Sequence, residues 1–185
     1  MPKASCFTMI KRIGGRKASG VTLIEVLVVL TVLAVVVTLG APSFVDFVRN
    51  MRMASSMSDL NTDLLLARSE SIRRNSRVLL CPRSSTTSTI CATVVVAATW
   101  MNGWLVCYDA DADGVCDATS ATDPNPVRVR KGPSAPLSLT GPAAVVTFFP
   151  VGSASAAATF TISGGTAATR TITLAASGSI TSSKT

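Results

Sequence analysis

The chain has 185 residues, of which 17 are Lys or Arg, 10 are Asp or Glu and none is His. This length accommodates an apolar anchor and one domain of about a hundred residues, and it excludes a second large domain. Five of the basic residues precede the apolar segment: Lys3, Lys11, Arg12, Arg16 and Lys17. Without these five, the chain has 12 basic and 10 acidic residues. The formal charge of +7 is therefore mostly a membrane-topology signal, and the composition does not imply constitutive binding to nucleic acid.

One carboxylate lies just inside the apolar segment that runs from Val21 to Ala41. Glu25 is its only charged side chain. Because a charge in hydrocarbon is costly, Glu25 requires a positively charged partner. Cleavage after Gly20 would create an amine on Val21, one helical turn before Glu25, and helices packed side by side would then pair the amine of one subunit with the carboxylate of another.

Two simpler interpretations of this segment are less satisfactory. An ordinary secretory signal would be cleaved after Gly40–Ala41, but Leu39 stands where a small residue is preferred and Pro42 follows directly. A plain signal anchor accounts for the length of the segment but not for Glu25.

The stretch Gly20–Glu25, preceded by a short basic leader, resembles the class III signal of type IV pilins and type II secretion pseudopilins, with Val21 in place of the usual Phe. The resemblance implies that a prepilin peptidase removes residues 1–20 by cutting between Gly20 and Val21 and then methylates the amine of Val21. Pro42 falls where such helices usually carry a proline. The resemblance thus assigns Glu25 and Pro42 to assembly.

Helical periodicity continues beyond Pro42. Apolar residues recur at spacings of four, three, four and three: Met53, Met57, Leu60, Leu64 and Ala67. Arginines gather before Asn75, where cations suit the helix dipole. We predict one helix from about Val21 to Arg74, kinked near Pro42, with a transmembrane half at 21–48 and an amphipathic half at 49–75 that packs on a domain.

The pattern from 76 to 185 changes to the period of two that is typical of β-strands. Predicted strands cover 77–81, 103–108, 127–130, 145–149, 159–163 and 170–174, and residues 177–185 are expected to fray beyond a short last strand. Trp100, Trp104, Phe148 and Phe149 are expected in the core. The predicted fold class is α+β, a long N-terminal helix packed on a β-rich, antiparallel, sandwich-like domain.

Four cysteines remain after the leader is removed, and an even number suits an oxidising compartment. Three pairings are open. We favour the two short loops, Cys81 with Cys91 and Cys107 with Cys116. A zinc site is the alternative, although the chain has no Cys-x-x-Cys and no His.

Two polar clusters are candidate binding sites. Asp109, Asp111, Asp113 and Asp117 have the spacing of a calcium loop, with Gly at the sixth position but Ser120 at the twelfth. A solvated acidic loop is the favoured interpretation, and calcium is the alternative. The second cluster is a basic patch that consists of Arg128, Arg130 and Lys131, joined by Arg170. A solvated strand face is the favoured interpretation of this patch, and contact with DNA phosphates is the alternative.

Four blocks of sequence, at 64–75, 77–82, 102–106 and 127–130, are similar to the GspH/FimT group of minor pilins, which implies a type IV pilin-like fold. Members that bind DNA are similar in carrying an arginine motif after a glycine in the last segment, whereas Gly178–Thr181 contains no Arg.

Enzymatic activity is not expected, because the chain lacks His and its serines have no activating partner.

The expected function is that of a minor pilin or pseudopilin, a structural subunit that assembles or primes a type IV pilus or a type II secretion pseudopilus. Its expected partners are other pilins, the prepilin peptidase, the inner-membrane assembly platform and the membrane. The expected location is a single pass through the inner membrane, with the C-terminal domain in the periplasm, and an extracellular filament after assembly. The alternative is a tip subunit that binds DNA during natural transformation. No cofactor is expected, and calcium in the acidic loop is kept as the alternative.

Overall fold

One long α-helix precedes two β-sheets in the chain. The computed structural model describes residues 20–118, 124–165 and 167–184, without the side chains of 39–42, 167 and 168, and the predicted leader up to residue 19 lies outside the described residues. The helix α1 spans Leu23–Arg74, close to the predicted limits, and a 3₁₀ helix spans Ala97–Asn102. The strands among the described residues are β1 (Arg77–Pro82), β2 (Trp104–Asp109), β3 (Arg128–Arg130), β4 (Ser138–Thr140), β5 (Val146–Phe148), β6 (Ala158–Gly164), β7 (Ala167–Leu174) and β8 (Ile180–Lys184).

The chain divides into two units, one ending at Pro42 and the other spanning Ser43–Thr185. No single helix in the described part of the chain is both long enough and apolar enough to cross a membrane. The segments Leu23–Thr38 and Ser43–Arg74 of α1 meet the requirements of length and composition only when they are taken together as an interrupted pair.

The second half of α1 provides one wall of the main core. Its buried apolar side chains are the ones that the spacing predicts: Met53, Met57, Leu60, Leu64 and Ala67. They share one cluster with Trp100, Trp104, Phe148 and Phe160, and the rings of Trp100 and Phe160 meet edge to face with centroids 4.8 Å apart. The predicted helical face is therefore confirmed.

Both sheets are antiparallel. Their strand orders are β3-β2-β1-β5 and β4-β6-β7-β8. Side chains of β1 point alternately to the two faces of its sheet, so Val78 and Leu80 enter the main core while Leu79 and Cys81 enter a second apolar cluster. The helix and the two antiparallel sheets confirm the predicted α+β class.

Three elements differ from the sequence prediction. The 3₁₀ helix and the three-residue β4 are not among the predicted elements, and both depend on tertiary contacts: Trp100 Nε1 donates to the carbonyl of Pro142 at 2.9 Å, and β4 pairs with β6. The last strand, β8, pairs with β7 as far as Lys184, which is longer than expected. Its exposed Thr and Ser side chains give no apolar alternation, so periodicity alone does not reveal its length.

Glycine is required where β2 begins. Gly103 has φ of +95°, and a Cβ atom there would overlap the carbonyl oxygen of Arg130. This close approach brings Trp104 into register with Arg130.

A buried carboxylate connects α1 to β2 and β3. Asp63 is fully buried, and its Oδ2 accepts hydrogen bonds from Trp104 Nε1 and Arg130 Nε, both at 2.9 Å. Arg128 Nε lies 3.7 Å from the other oxygen of Asp63, and Arg130 Nη1 lies 3.3 Å from Asp59. The hydrogen bond to Asp63 raises the pKa of Arg130 above its ordinary value, against the opposing effect of burial.

The C-terminal end of α1 is fixed by a second polar cluster. Glu70 accepts hydrogen bonds from Arg73 at 2.6 Å and from Arg74 at 2.9 Å, and the guanidinium of Arg74 stacks 3.5 Å from the ring centroid of Tyr108. The hydrogen bond from Arg73 lowers the pKa of Glu70, and the hydrogen bond from Arg74 lowers it further. Burial of the carboxylate raises the pKa, but the net shift is a decrease. The end of the helix is thus tied to β2.

The buried face of α1 yields a first prediction. Leu60→Ala removes a fully buried side chain and should lower the free energy of unfolding by about 2 to 5 kcal/mol. Leu65→Ala, on a side chain that is 49% exposed, is the matched control and should cost less than about 1 kcal/mol. Urea unfolding of the detergent-solubilised chain, followed by tryptophan fluorescence, measures both, and equal losses would contradict the assigned face.

Asp63 yields a second prediction. Asp63→Asn keeps the shape of the side chain but removes the charge that Arg130 and Trp104 contact, and it should cost about 2 to 3 kcal/mol. Asp46→Asn removes an exposed carboxylate that lies 3.1 Å from Arg49 and should change stability by less than about 1 kcal/mol. The same unfolding assay compares them; an unchanged midpoint in Asp63→Asn would show that this carboxylate does not hold the helix to the sheet.

Candidate assembly site and neighbouring polar clusters

The start of α1 carries a threonine cap. Gly20, Val21 and Thr22 precede the first helical residue, Leu23. Thr22 Oγ1 accepts a hydrogen bond from the backbone N–H of Glu25 at 3.3 Å, which satisfies one of the free donors of the first turn. Gly20 and Val21 are both exposed, so the peptide bond at the predicted cleavage position is accessible within the described residues.

Glu25 is exposed on the first turn of the helix. A carboxylate is favourable near a helix N-terminus because it faces the positive end of the dipole. Among the described residues Glu25 takes part in no ion pair, and the next charged side chain along the sequence is Asp46. Within the described residues, the carboxylate therefore remains available to a cation.

Apolar side chains surround Glu25 and are uncovered. Large apolar side chains in this stretch are between 48% and 78% exposed: Val21, Leu23, Ile24, Val26, Leu27, Val28, Val29, Leu30, Val32, Leu33, Val35, Val36 and Val37. An apolar surface of this extent marks contact with a membrane or with other proteins. Pro42, the other residue predicted to serve assembly, lies within α1 at the boundary between the two units, and its side chain is outside the described set.

Four of the five cysteines form two adjacent disulfides on the outer face of the β1–β2 pair. Cys81 is joined to Cys91 and Cys107 to Cys116, which are the two short loops favoured from the sequence. The Sγ atoms of Cys91 and Cys116 lie 3.2 Å apart, so the two bridges stack. All four sulfurs are used in disulfides, whereas a zinc site requires thiolates.

The acidic loop follows β2 directly. Asp109 ends the strand and is buried, while Asp111, Asp113 and Asp117 follow on the loop. Asp117 Oδ2 accepts a hydrogen bond from the backbone of Ala110 at 2.8 Å. Burial raises the pKa of Asp109 above its ordinary value, and the charges of Asp113 and Asp111 add to the increase, although hydrogen bonds from the loop backbone oppose it. Ser120, at the twelfth position of the loop, lies outside the described residues.

The predicted DNA-binding residues do not form a free basic patch. Arg128 and Arg130 share a face of β3, as expected for alternate strand residues, but that face meets the carboxylates of Asp59 and Asp63 on α1. Lys131 is exposed. Arg170 belongs to a different place, a cleft of about 380 Å³ that also contains Lys184. Arg130 is therefore hydrogen-bonded within the protein, whereas the side chain of Arg128 remains 45% exposed at 3.7 Å from Asp63.

Two polar residues that connect separate segments of the chain, Asp63 and Asn125, are not among the residues predicted from the sequence. Asp63 lies three residues after Leu60 and four before Ala67, on the apolar face of the helix, and a carboxylate in that position signals a buried polar contact. Asn125 accepts a hydrogen bond from the backbone N–H of Tyr108 and donates to the carbonyls of Tyr108 and Asp117. No sequence pattern indicated the contacts of Asn125, because they join segments that lie 8 and 17 residues apart.

Comparisons with known proteins agree with this architecture. A crystal structure of the type IV minor pilin FimU of Pseudomonas aeruginosa is 20% identical, with a TM-score of 0.52 over 73% of this chain and 90% of that one. A second crystal form of the same protein is 19% identical, with a TM-score of 0.49 over 70% of this chain and 91% of that one. At this identity the likeness shows the fold alone, and it confirms the type IV pilin fold. A search of curated proteins found no match.

Two family models match different parts of the chain. The prokaryotic N-terminal methylation motif matches residues 15–41, which include Gly20, Val21 and Glu25. The model described as type II transport protein GspH matches residues 56–178, which is more than half of the chain. The sequence blocks and the fold point to the same group, and the chain therefore belongs to the GspH family.

Proposed function

We propose that this chain is a minor pilin or pseudopilin that is built into, or primes, a filament of the type IV pilus or type II secretion type. The observation that carries the proposal is the exposed apolar surface formed by Val21 and by α1 from Leu23 to Val37. This surface surrounds the carboxylate of Glu25, which takes part in no ion pair among the described residues. The surface would be covered first by the inner membrane and later by the helices of neighbouring subunits. The match of the methylation motif to residues 15–41 supports the same reading.

Processing would prepare the helix for assembly. A prepilin peptidase would cut between Gly20 and Val21, and this cut would remove the five basic residues of the leader. The same enzyme would then methylate the new amine of Val21. The mature chain would then begin with a positive charge four residues before Glu25. The inner-membrane assembly platform would be the partner that moves the subunit from the membrane into the filament, with the domain that starts near Ser43 on the periplasmic side.

Glu25 would select the register of neighbouring helices. Moving its carboxylate from water into an apolar helix bundle is unfavourable unless a cation meets it. The methylated amine of Val21 on an adjacent subunit would be such a cation, and only one axial offset between two helices would bring the groups together. The packing of the apolar side chains would supply the attraction, and the ion pair would supply the specificity.

The proposal predicts separate effects on insertion and assembly. Glu25→Ala should reach the membrane at the level of the unaltered chain, because a carboxylate is not needed for insertion, and its amount in filaments should fall at least about tenfold, since losing one partner of a desolvated ion pair costs several kcal/mol. Glu25→Gln should behave similarly, because a neutral amide cannot replace the charge. Immunoblots of membrane and sheared-filament fractions measure the two effects.

Thr31→Ala is the matched control on the same exposed helix. The hydroxyl of Thr31 donates to the carbonyl of Val28 at 2.8 Å within its own turn, so its removal should leave assembly unchanged. Incorporation of Glu25→Ala at the level of the control would rule out the register mechanism.

A further inference from the structure

Three carboxylates converge in the loop after β2. One oxygen from each of Asp109, Asp111 and Asp113 lies within 4.8 Å of the other two. Oxygen atoms at this separation surround a space that one hard cation can fill, because calcium–oxygen distances are about 2.3 to 2.6 Å. The residues have the alternate spacing of a calcium loop, and Gly114 takes the sixth position with φ of +85°.

Asp109 supplies an independent observation. Its side chain is 1% exposed, and its Oδ2 accepts a hydrogen bond from the backbone of Gly114 at 3.2 Å. The buried Oδ1 has no hydrogen-bond partner among the described residues. A buried carboxylate oxygen without a partner is costly. A ligand that binds this oxygen would remove that cost.

No basic side chain neutralises the cluster within the described part of the chain. Arg77 is close, but it donates to the backbone carbonyl of Ala112 at 3.3 Å and not to a carboxylate. The ion pairs of the described residues involve Asp46, Asp59, Asp63 and Glu70. The negative charge of the loop therefore lacks a counterion among the residues that the structure describes.

The loop is held in place at both ends. The Cys107–Cys116 disulfide closes it, and the Asn125 side chain bonds to the backbone of Tyr108 and Asp117 on the two sides. Such constraints reduce the entropy lost when the oxygens gather around an ion.

We propose that the loop from Asp109 to Asp117 is a calcium site. Asp109, Asp111 and Asp113 would provide carboxylate oxygens, Val115 occupies the seventh position, where calcium loops use the backbone carbonyl, and Asp117 occupies the ninth, which often acts through water. Flexible coordination by six to eight oxygens suits calcium better than magnesium, which requires near-ideal octahedral geometry. This proposal does not depend on the assembly function proposed for residues 21–37.

Melting of the full-length chain in detergent tests the proposal, with calcium chloride as the probe. For a dissociation constant on the order of 0.1 to 1 mM, as in extracellular modules, about 10 mM calcium should raise Tm by about 3 to 10 °C. The same concentration of magnesium should raise it less. Equilibrium dialysis of the unaltered chain should find one calcium ion per chain.

Asp111→Ala removes one exposed ligand and should abolish the calcium-dependent rise in Tm. Asp46→Ala, which removes an exposed carboxylate far along the sequence, should retain the whole rise. The proposal is overturned if dialysis finds no bound calcium, if magnesium raises Tm as much as calcium does, or if Asp111→Ala keeps the rise of the unaltered chain.

Discussion

The apolar surface of α1 must be shielded from water, and the two parts of the helix meet this requirement in different ways. From Met53 to Ala67 the apolar side chains are covered by the protein's own sheets, in a core that also contains Trp100 and Phe160. From Val21 to Val37 they are exposed. Burial of apolar area is the main favourable contribution to folding and association. The segment from Val21 to Val37 therefore requires a membrane or other subunits, just as the segment from Met53 to Ala67 requires the sheets.

Polar contacts determine how the sheets meet the helix. Asp63 receives hydrogen bonds from Trp104 and Arg130, and Glu70 joins the last turn to Tyr108 through Arg74. These contacts have a functional consequence. Both arginines of β3 contact carboxylates of the helix, so the residues that the DNA hypothesis names also hold the sheet to the helix.

Much of the fold follows from local pattern. The apolar spacing of α1 and the alternation in β6 and β7 predicted these elements correctly. The short apolar runs of β1 and β2 also predicted strands, and these two strands are buried on both faces. The 3₁₀ helix and β4 were missed, since their formation depends on Trp100, Pro142 and β6, which lie far away in sequence. Charged residues were placed least well. A sequence shows that Arg130 alternates with Arg128 on one face, but not that Asp63 lies opposite that face.

The central claim is that Val21 becomes the charged first residue of a filament helix. The direct test is the intact mass and N-terminal fragmentation of the chain purified from membranes of cells that contain the prepilin peptidase. The account predicts a chain that starts at Val21 and carries one methyl group on its amine, and the same cells without the peptidase should retain residues 1–20. A mature chain that starts near Pro42 would contradict the account, since the apolar segment and Glu25 would then be discarded before any filament forms.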